Sequence, residues 1–375
     1  MRFSITSQVL YGAAVASALN IPNRGLLSGV NEELDGLKED LQKLALPLEV
    51  FGEFDTMTLE EAQAAAAADK GTDANDDELS SPASTDEFTT QAACANPRIR
   101  VEWRNMRDAD KLSFVNAVKC LMERPPSGNF SPSQSRYEDL VAVHQRMTSR
   151  IHMSGLFLPW HRYYTWVFSG LLREECGYTA PLPWWDEVRD AGNFAGSGLF
   201  TDEYFGDLPP ANGGRGTCIE NGAFGGTILN IGPGASNTPH CLARAVDERQ
   251  TANVNQAFVD SCNSRTTYSS MESCSEMGPH AYGHNGIGAV MAAVSGSPGD
   301  PVFFLHHGFV DRMWRKWQIM DNSRLRDISG CATPGENCEP LTRNTVLSSM
   351  GLRRDVTVGQ ILDIYEPFLC YLYDY

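Results

Sequence analysis

A chain of 375 residues with 30 Lys and Arg against 47 Asp and Glu has a formal net charge of −17, the wrong sign for binding polyanions. Its length suffices for one large hydrophobic core, and no apolar run beyond the first residues reaches membrane-spanning length. Basic residues are nowhere clustered among aromatics, so neither nucleic acid nor a membrane is an expected partner.

In chain order, Met1 to Ala18 reads as a signal peptide, with one positive residue, Arg2, an apolar stretch, and Ala16-Ser17-Ala18 suiting signal peptidase. Secretion is the expected localisation. Residues 19–93 are expected as an acidic pro-segment or linker, disordered in part. Between Asn31 and Thr90, seventeen acids stand against three lysines, so this block supplies most of the net charge. Leu34, Leu37, Leu41 and Leu44 have helical spacing, Ala64 to Ala68 reads as weak helix, and Asp73 to Ser84 as disordered linker. The favoured reading is a solvated spacer; the sharper one is a pro-segment that partly covers a site. All ten cysteines fall between Cys94 and Cys370, which fits up to five disulfides in an oxidising compartment. Cys331 and Cys338 close a short loop and are the pair that spacing points to. The absence of Cys-x-x-Cys argues against thiolate metal sites.

Residues 94–375 carry the chemistry, because seven of the eight histidines form two groups there. Tyr137 to Arg146 suits a helix bearing His144. Gly155 and Pro159 then break the chain, leaving His152 on a loop, and His161 opens a helix from Trp160 to Glu175 with Trp166, Leu171 and Leu172 among its apolar positions. Ala191 to Asn237, rich in Gly, Pro and Asn, is expected as extended loop. His280 and His284, four residues apart, stack on one helical face within reach of one ion, and Ala281 stands where zinc proteases carry a Glu. Asp300 as N-cap and Pro301 at the first helical position start a helix carrying His306 and His307. Adjacent helical residues point about 100° apart, so only one of that pair completes the site. Asp311, one turn further, is placed as a carboxylate behind the ligands or as the anchor of Arg312. Two imidazole clusters imply two metal ions; such sites suit copper and zinc alike, and the affinity order favours copper. The expected fold class is mainly α, a four-helix bundle core holding a binuclear site, with long disulfide-pinned loops and a few short strands.

Phe157-Leu158-Pro159-Trp160-His161-Arg162-Tyr163-Tyr164, continuing through Leu172 to Tyr178 and Leu182-Pro183-Trp184-Trp185-Asp186, resembles the first copper signature of tyrosinases and catechol oxidases. Asp300-Pro301-Val302-Phe303-Phe304-Leu305-His306-His307, followed by Val310-Asp311-Arg312-Met313-Trp314, resembles the second. With Cys94 to Cys120, similar to the start of that domain in short fungal members, the resemblance covers residues 94–375. It implies two copper ions, one held by His144, His152 and His161 and the other by His280, His284 and His307, with His306 a neighbour and His240 at no ligand position. It further implies an oxidase using dioxygen to convert small ortho-diphenols, and by extension ortho-aminophenols, to quinones in pigment or secondary-metabolite formation. Hydroxylation of monophenols, including free or peptide-bound tyrosine, is the added ability of true tyrosinases. Tyr371-Leu372-Tyr373 resembles the Tyr-x-Tyr that ends the family's catalytic domain, and the chain is expected to lack the C-terminal domain that covers the site in longer relatives.

Departures from the family pattern bear on the chemistry. Where many fungal tyrosinases crosslink a cysteine to the second histidine, this chain has Arg150, so no thioether is expected. The residue after the first histidine of the second site, often Asn or Gly, is Ala281, which cannot hydrogen-bond through its side chain. In the family an Asn there helps a Glu hold a water that deprotonates a phenol; Glu272 is the expected counterpart of that Glu and Glu276 the alternative. Phe303, with Phe157 and Phe304, lines the mouth above the coppers or packs in the core. Diphenol oxidation is therefore expected to outrun monophenol hydroxylation. Two other classes stay open: oxygen carriage, since haemocyanins share this centre, and a zinc or metal-free binding protein. Quinone formation and metal content discriminate them.

Overall fold

The computed structural model describes residues 36, 38–72, 94–335 and 338–375; the expected signal peptide, Leu34, Leu37 and the Asp73 to Ser84 linker lie outside them. Its helices include α1 (Leu59–Thr72), α2 (Asp108–Glu123), α3 (Arg136–Ile151), α4 (Phe157–Cys176), the single turn α5 (Glu248–Thr251), α6 (Gln256–Asn263), α7 (Tyr268–Ser275), α8 (Ala281–Ile287), which a π-helical turn at Glu276–His280 precedes, and α9 (Phe303–Met320). The chain is mainly helical, as its patterning implies. α4 packs against α9, α2 and α3, and the histidines are carried on or beside α3, α4, α8 and α9.

Local chemistry sets these elements. Ser135 caps α3 by accepting the Glu138 N–H at 3.1 Å. Glu138 and Asp139 in the first turn favour the positive end of the helix dipole and reach out to hold loops, accepting the N–H groups of Asn230 at 2.6 Å and Ser127 at 2.7 Å. α4 ends at Gly177, whose φ of 66° is left-handed and whose N–H returns to the Leu172 carbonyl. Two expected boundaries are corrected. Pro159 does not break the chain; it sits in the first turn of α4, where its missing N–H has no intrahelical partner to lose, so His161 falls in the second turn. α9 begins at Phe303 rather than Pro301, with the turn Pro301–Val302 before it; the Asp300 carboxylate is held by Arg244 at 2.7 and 3.0 Å and also accepts the Val302 N–H at 3.1 Å.

A parallel three-stranded sheet, ordered Pro183–Trp184, Arg98–Glu102, Tyr371–Tyr373, brings the chain's end beside the start of the helical domain, with Arg98 paired to Tyr371 and Val101 to Pro183. Five disulfides reinforce it: Cys94–Cys370, Cys120–Cys176, Cys218–Cys241, Cys262–Cys274 and the expected Cys331–Cys338. Ala191 to Asn237 is loop apart from the turn Phe194–Gly196 and the two-residue strands Thr217–Cys218 and Ile228–Leu229.

Asp311 takes neither expected role. It accepts Arg162 Nε at 2.5 Å, Arg100 Nη1 at 3.3 Å, the Tyr373 hydroxyl at 2.5 Å and the Tyr371 hydroxyl, while Arg312 donates instead to the Tyr375 carbonyl at 2.6 Å. Arg162 follows His161 and Asp311 lies one turn beyond His307. The buried ion group therefore ties α4 to α9 and to the terminal sheet.

Residues 38–72 are not a solvated spacer. Ala45, Phe51 and Ala62 are buried in the main core, and α1, which contains Ala64 to Ala68, packs on α6. Leu41 and Leu44 are half-buried against the same core.

Candidate metal centre

The sequence-predicted histidines converge as two adjoining groups. In His144, His152 and His161, and separately in His280, His284, His306 and His307, ring nitrogens lie within 4.8 Å of one another, and all seven residues are buried. His240 stands apart, packed edge-on to Phe51. The groups meet where His161 and His307 stack, centroids 4.3 Å apart and planes at 9°.

Five of the rings are oriented by what their Nδ1 meets. His144 faces the Ser295 carbonyl at 3.0 Å, His152 that of Thr148 at 3.2 Å, His161 that of Phe157 at 2.8 Å, His280 that of Glu276 at 3.0 Å and His284 that of Met291 at 2.7 Å. A carbonyl only accepts, so Nδ1 carries the proton and Nε2 presents its lone pair. Among the described residues, Nε2 of His152, His280 and His284 is buried without a partner, and the Nε2 atoms of His144 and His161 face each other at 3.4 Å. Convergent, unpartnered acceptors are unfavourable unless a cation joins them. The donor set therefore fits a pair of borderline metal ions bound through imidazole nitrogen.

Four histidines surround the second position, and their environments differ. His306 Nδ1 lies 2.7 Å from the fully buried Glu187 carboxylate, whereas neither ring nitrogen of His307 has a partner among the described residues. Glu187 was not singled out from sequence, although it directly follows Trp184-Trp185-Asp186. Ala281 is fully buried beside His280. Glu276 accepts the Met153 N–H with both carboxylate oxygens at 2.9 Å, against the His152 turn. Glu272 sits one turn earlier on α7, with Oε1 lacking a hydrogen-bond partner among the described residues. Burial, then the neighbouring carboxyl, raises Glu272 well above the ordinary range, and burial pushes Glu276 up to about 7. Phe303, centroid 4.2 Å from His307, and Phe157, 4.6 Å from His280, are fully buried walls of the histidine chamber.

Sequence reasoning missed two further residues at the site. Phe54 stacks on His284 at 4.3 Å and 21°, and lies edge-on to His280 at 5.0 Å and His152 at 5.8 Å. Asn285 holds its backbone, accepting the Phe54 N–H at 3.0 Å and donating to the Phe54 carbonyl at 2.9 Å. The available signal was Phe51 and Phe54, two aromatic residues three apart in an acidic block.

Burial lowers the histidine pKa values, His144 to about 3 and His152 to about 4, so the rings are neutral and able to bind metal near pH 7. The unfolded chain protonates them near pH 6.5. Between those values the unfolded state binds more protons, so stability of the metal-free chain falls as pH falls, by up to about 1.4 kcal/mol per pH unit for each ring. The denaturant midpoint of the metal-free chain is expected to drop between pH 7 and pH 5; an unchanged midpoint contradicts buried neutral histidines.

Comparison with known proteins matches this construction. Residues 134–320 match the common central domain of tyrosinase. Tyrosinase P of Aspergillus terreus is 36% identical over 290 residues, spanning 64% of this chain and 81% of that protein. Tyrosinase ustQ of Aspergillus flavus is 31% identical over 297 residues, spanning 76% and 82%. A polyphenol oxidase variant from Thermothelomyces thermophila superimposes with a TM-score of 0.66 at 25% identity, covering 91% of this chain and 98% of that one. Two facing groups of neutral histidines on a helical core thus have their counterpart in a known copper centre, and the chain belongs to the tyrosinase family of binuclear copper oxidoreductases, which act on phenols with dioxygen.

Proposed function

We propose that this enzyme oxidises ortho-diphenols to ortho-quinones faster than it hydroxylates monophenols, with His144, His152 and His161 holding one copper and His280, His284 and His307 the other. His306, engaged by Glu187, serves as a buttress. Each catechol gives up two electrons and two protons, and two catechols reduce one dioxygen to two waters. Bound copper supplies the oxygen binding and electron transfer. The protein's part is to hold the rings neutral, exclude water and manage the phenol's protons. Signal cleavage at Ala18 and export fit five disulfides formed in an oxidising compartment.

The observation that carries the diphenol preference is Ala281. A catechol ionises more readily than a monophenol and depends less on a positioned base. The two acids expected to hold a deprotonating water, Glu276 and Glu272, lie buried together with raised pKa values, and the Glu276 oxygens are occupied by the Met153 N–H. Ala281 offers no side-chain amide to help hold a water against them. Ala281→Asn is expected to raise the ratio of monophenol to diphenol turnover by about tenfold, the worth of one well-placed hydrogen bond. Rates on tyrosine and 4-methylcatechol check it, and comparable rates in the wild-type chain contradict the proposal.

A second reading, a phenol in peptide linkage, is favoured by one observation. Asn285 pairs with both the N–H and the C=O of Phe54, so the site accepts an aromatic side chain within a polypeptide. A lower KM for an N-acetyl, C-amide dihydroxyphenylalanine than for the free amino acid is the expected result.

A further inference from the structure

The stripe of α9 that starts with His306 continues, at steps of three and four residues, through Phe309, Arg312, Met313, Lys316 and Met320. Past the histidines this stripe faces Val259 and Asp260 of α6 and the Asp186–Val188 turn, and together they wall a cavity of about 530 Å³. That volume is in the range of small-ligand sites. Phe309, Met313 and Val259 supply buried apolar wall, while Ile319 and Met320, also lining it, are 57% and 62% exposed.

Two cations stand one helical turn apart in this apolar setting. The Arg312 guanidinium is held in place, its Nε donating to the Tyr375 carbonyl at 2.6 Å and its centre 4.8 Å from the Trp184 ring centroid. Lys316 is exposed, and among the described residues no carboxylate stands within ion-pair distance of it. Repulsion from Arg312, then burial, lowers the Lys316 pKa, and Asp186 offsets only part of this. The two acids in the walls have partners of their own: Asp186 accepts the Tyr375 hydroxyl at 2.9 Å and Asp260 accepts Gln256 Nε2 at 2.6 Å. An anionic group placed between Arg312 and Lys316 relieves their repulsion and gains charge-assisted hydrogen bonds. The Phe309 ring and the Met313 sulfur beside them favour an aromatic body behind that anion.

We propose that this cavity is a small-molecule site separate from the histidine chamber, taking an aromatic monocarboxylic acid with its carboxylate between Arg312 and Lys316 and its ring against Phe309 and Met313. The phenol-oxidase reading can fail without touching this inference, because the test reads binding rather than turnover.

The probe is 3-phenylpropionate, which carries the ring and the carboxylate but no oxidisable hydroxyl, titrated into the full chain with its methionine methyl groups isotopically labelled and assigned. Saturable shifts are expected at Met313 and Met320, with a dissociation constant below about 1 mM. 3-Phenylpropanamide, which keeps the shape and loses the charge, is expected to bind at least about tenfold more weakly. Lys316→Gln, at an exposed position, should weaken the acid at least about fivefold and leave the amide unchanged. Met153, beside His152 and 52% exposed, marks the histidine chamber and should not shift. No saturable shift at Met313 and Met320, equal affinity for acid and amide, undiminished binding in Lys316→Gln, or a shift at Met153 in place of Met313 overturns the proposal.

Discussion

Replacing His284 with alanine is expected to leave one copper per chain and to lower catechol oxidation by at least about a thousandfold, since the reaction needs both ions and a dry, preorganised site. His284 is fully buried, its Nδ1 is fixed on the Met291 carbonyl at 2.7 Å, and its Nε2 has no partner among the described residues. The side chain therefore has one free donor and one direction in which to use it. Alanine removes that donor and leaves a void beneath Phe54. The first group, fixed separately by the carbonyls of Ser295, Thr148 and Phe157, keeps its own ion. Metal analysis alongside turnover checks the outcome; two tightly held coppers with more than a tenth of the activity contradict the assignment of His284.

Asp311→Ala is expected to destabilise the domain by about 3–5 kcal/mol, the cost of leaving buried cations unpaired. Asp311 is the shared acceptor of Arg162 and Arg100, which are 1% and 4% exposed, and of the Tyr371 and Tyr373 hydroxyls. Arg162 also stacks over Trp314 at 3.6 Å and donates to the Leu362 carbonyl at 2.7 Å, so it cannot swing out to water without breaking the packing between α4 and the chain's last segment. Burial alone would raise the Asp311 pKa; the two guanidinium groups and two hydroxyls hold it below the usual carboxylate range. The lowered value means that this stabilisation is present above about pH 4 and is lost as pH falls below it. Denaturant midpoints of the wild-type and Asp311→Ala chains at pH 7 measure the effect. Because Arg162 adjoins His161, the variant should also bind copper less tightly at the first position; a midpoint within experimental error of wild type contradicts the structural role.

The histidine framework was legible because its signals are local. His280 and His284 share a helical face, His306 and His307 follow one another near a helix start, and the two signatures are long. Helix limits were less so: Pro159 reads as a breaker until its place in a first turn is known, and the Asp300-Pro301 pair reads as a helix start although α9 begins two residues later, at Phe303. Partners distant in sequence left no trace in spacing. Asp311 finds Arg100 across 211 positions and Glu187 finds His306 across 119. Phe54 was obscured by its surroundings, since acidic, cysteine-free sequence reads as solvated chain. A few apolar side chains, Ala45, Phe51, Phe54 and Ala62, were enough to seat it on the core.

The central claim, a pair of coupled coppers held by two facing imidazole groups, is tested most directly by metal analysis of the purified full chain together with its absorption spectrum after addition of hydrogen peroxide. The geometry predicts two coppers per chain and a new near-ultraviolet band on adding peroxide. Stoichiometric zinc, or no stoichiometric metal and no band, would contradict it.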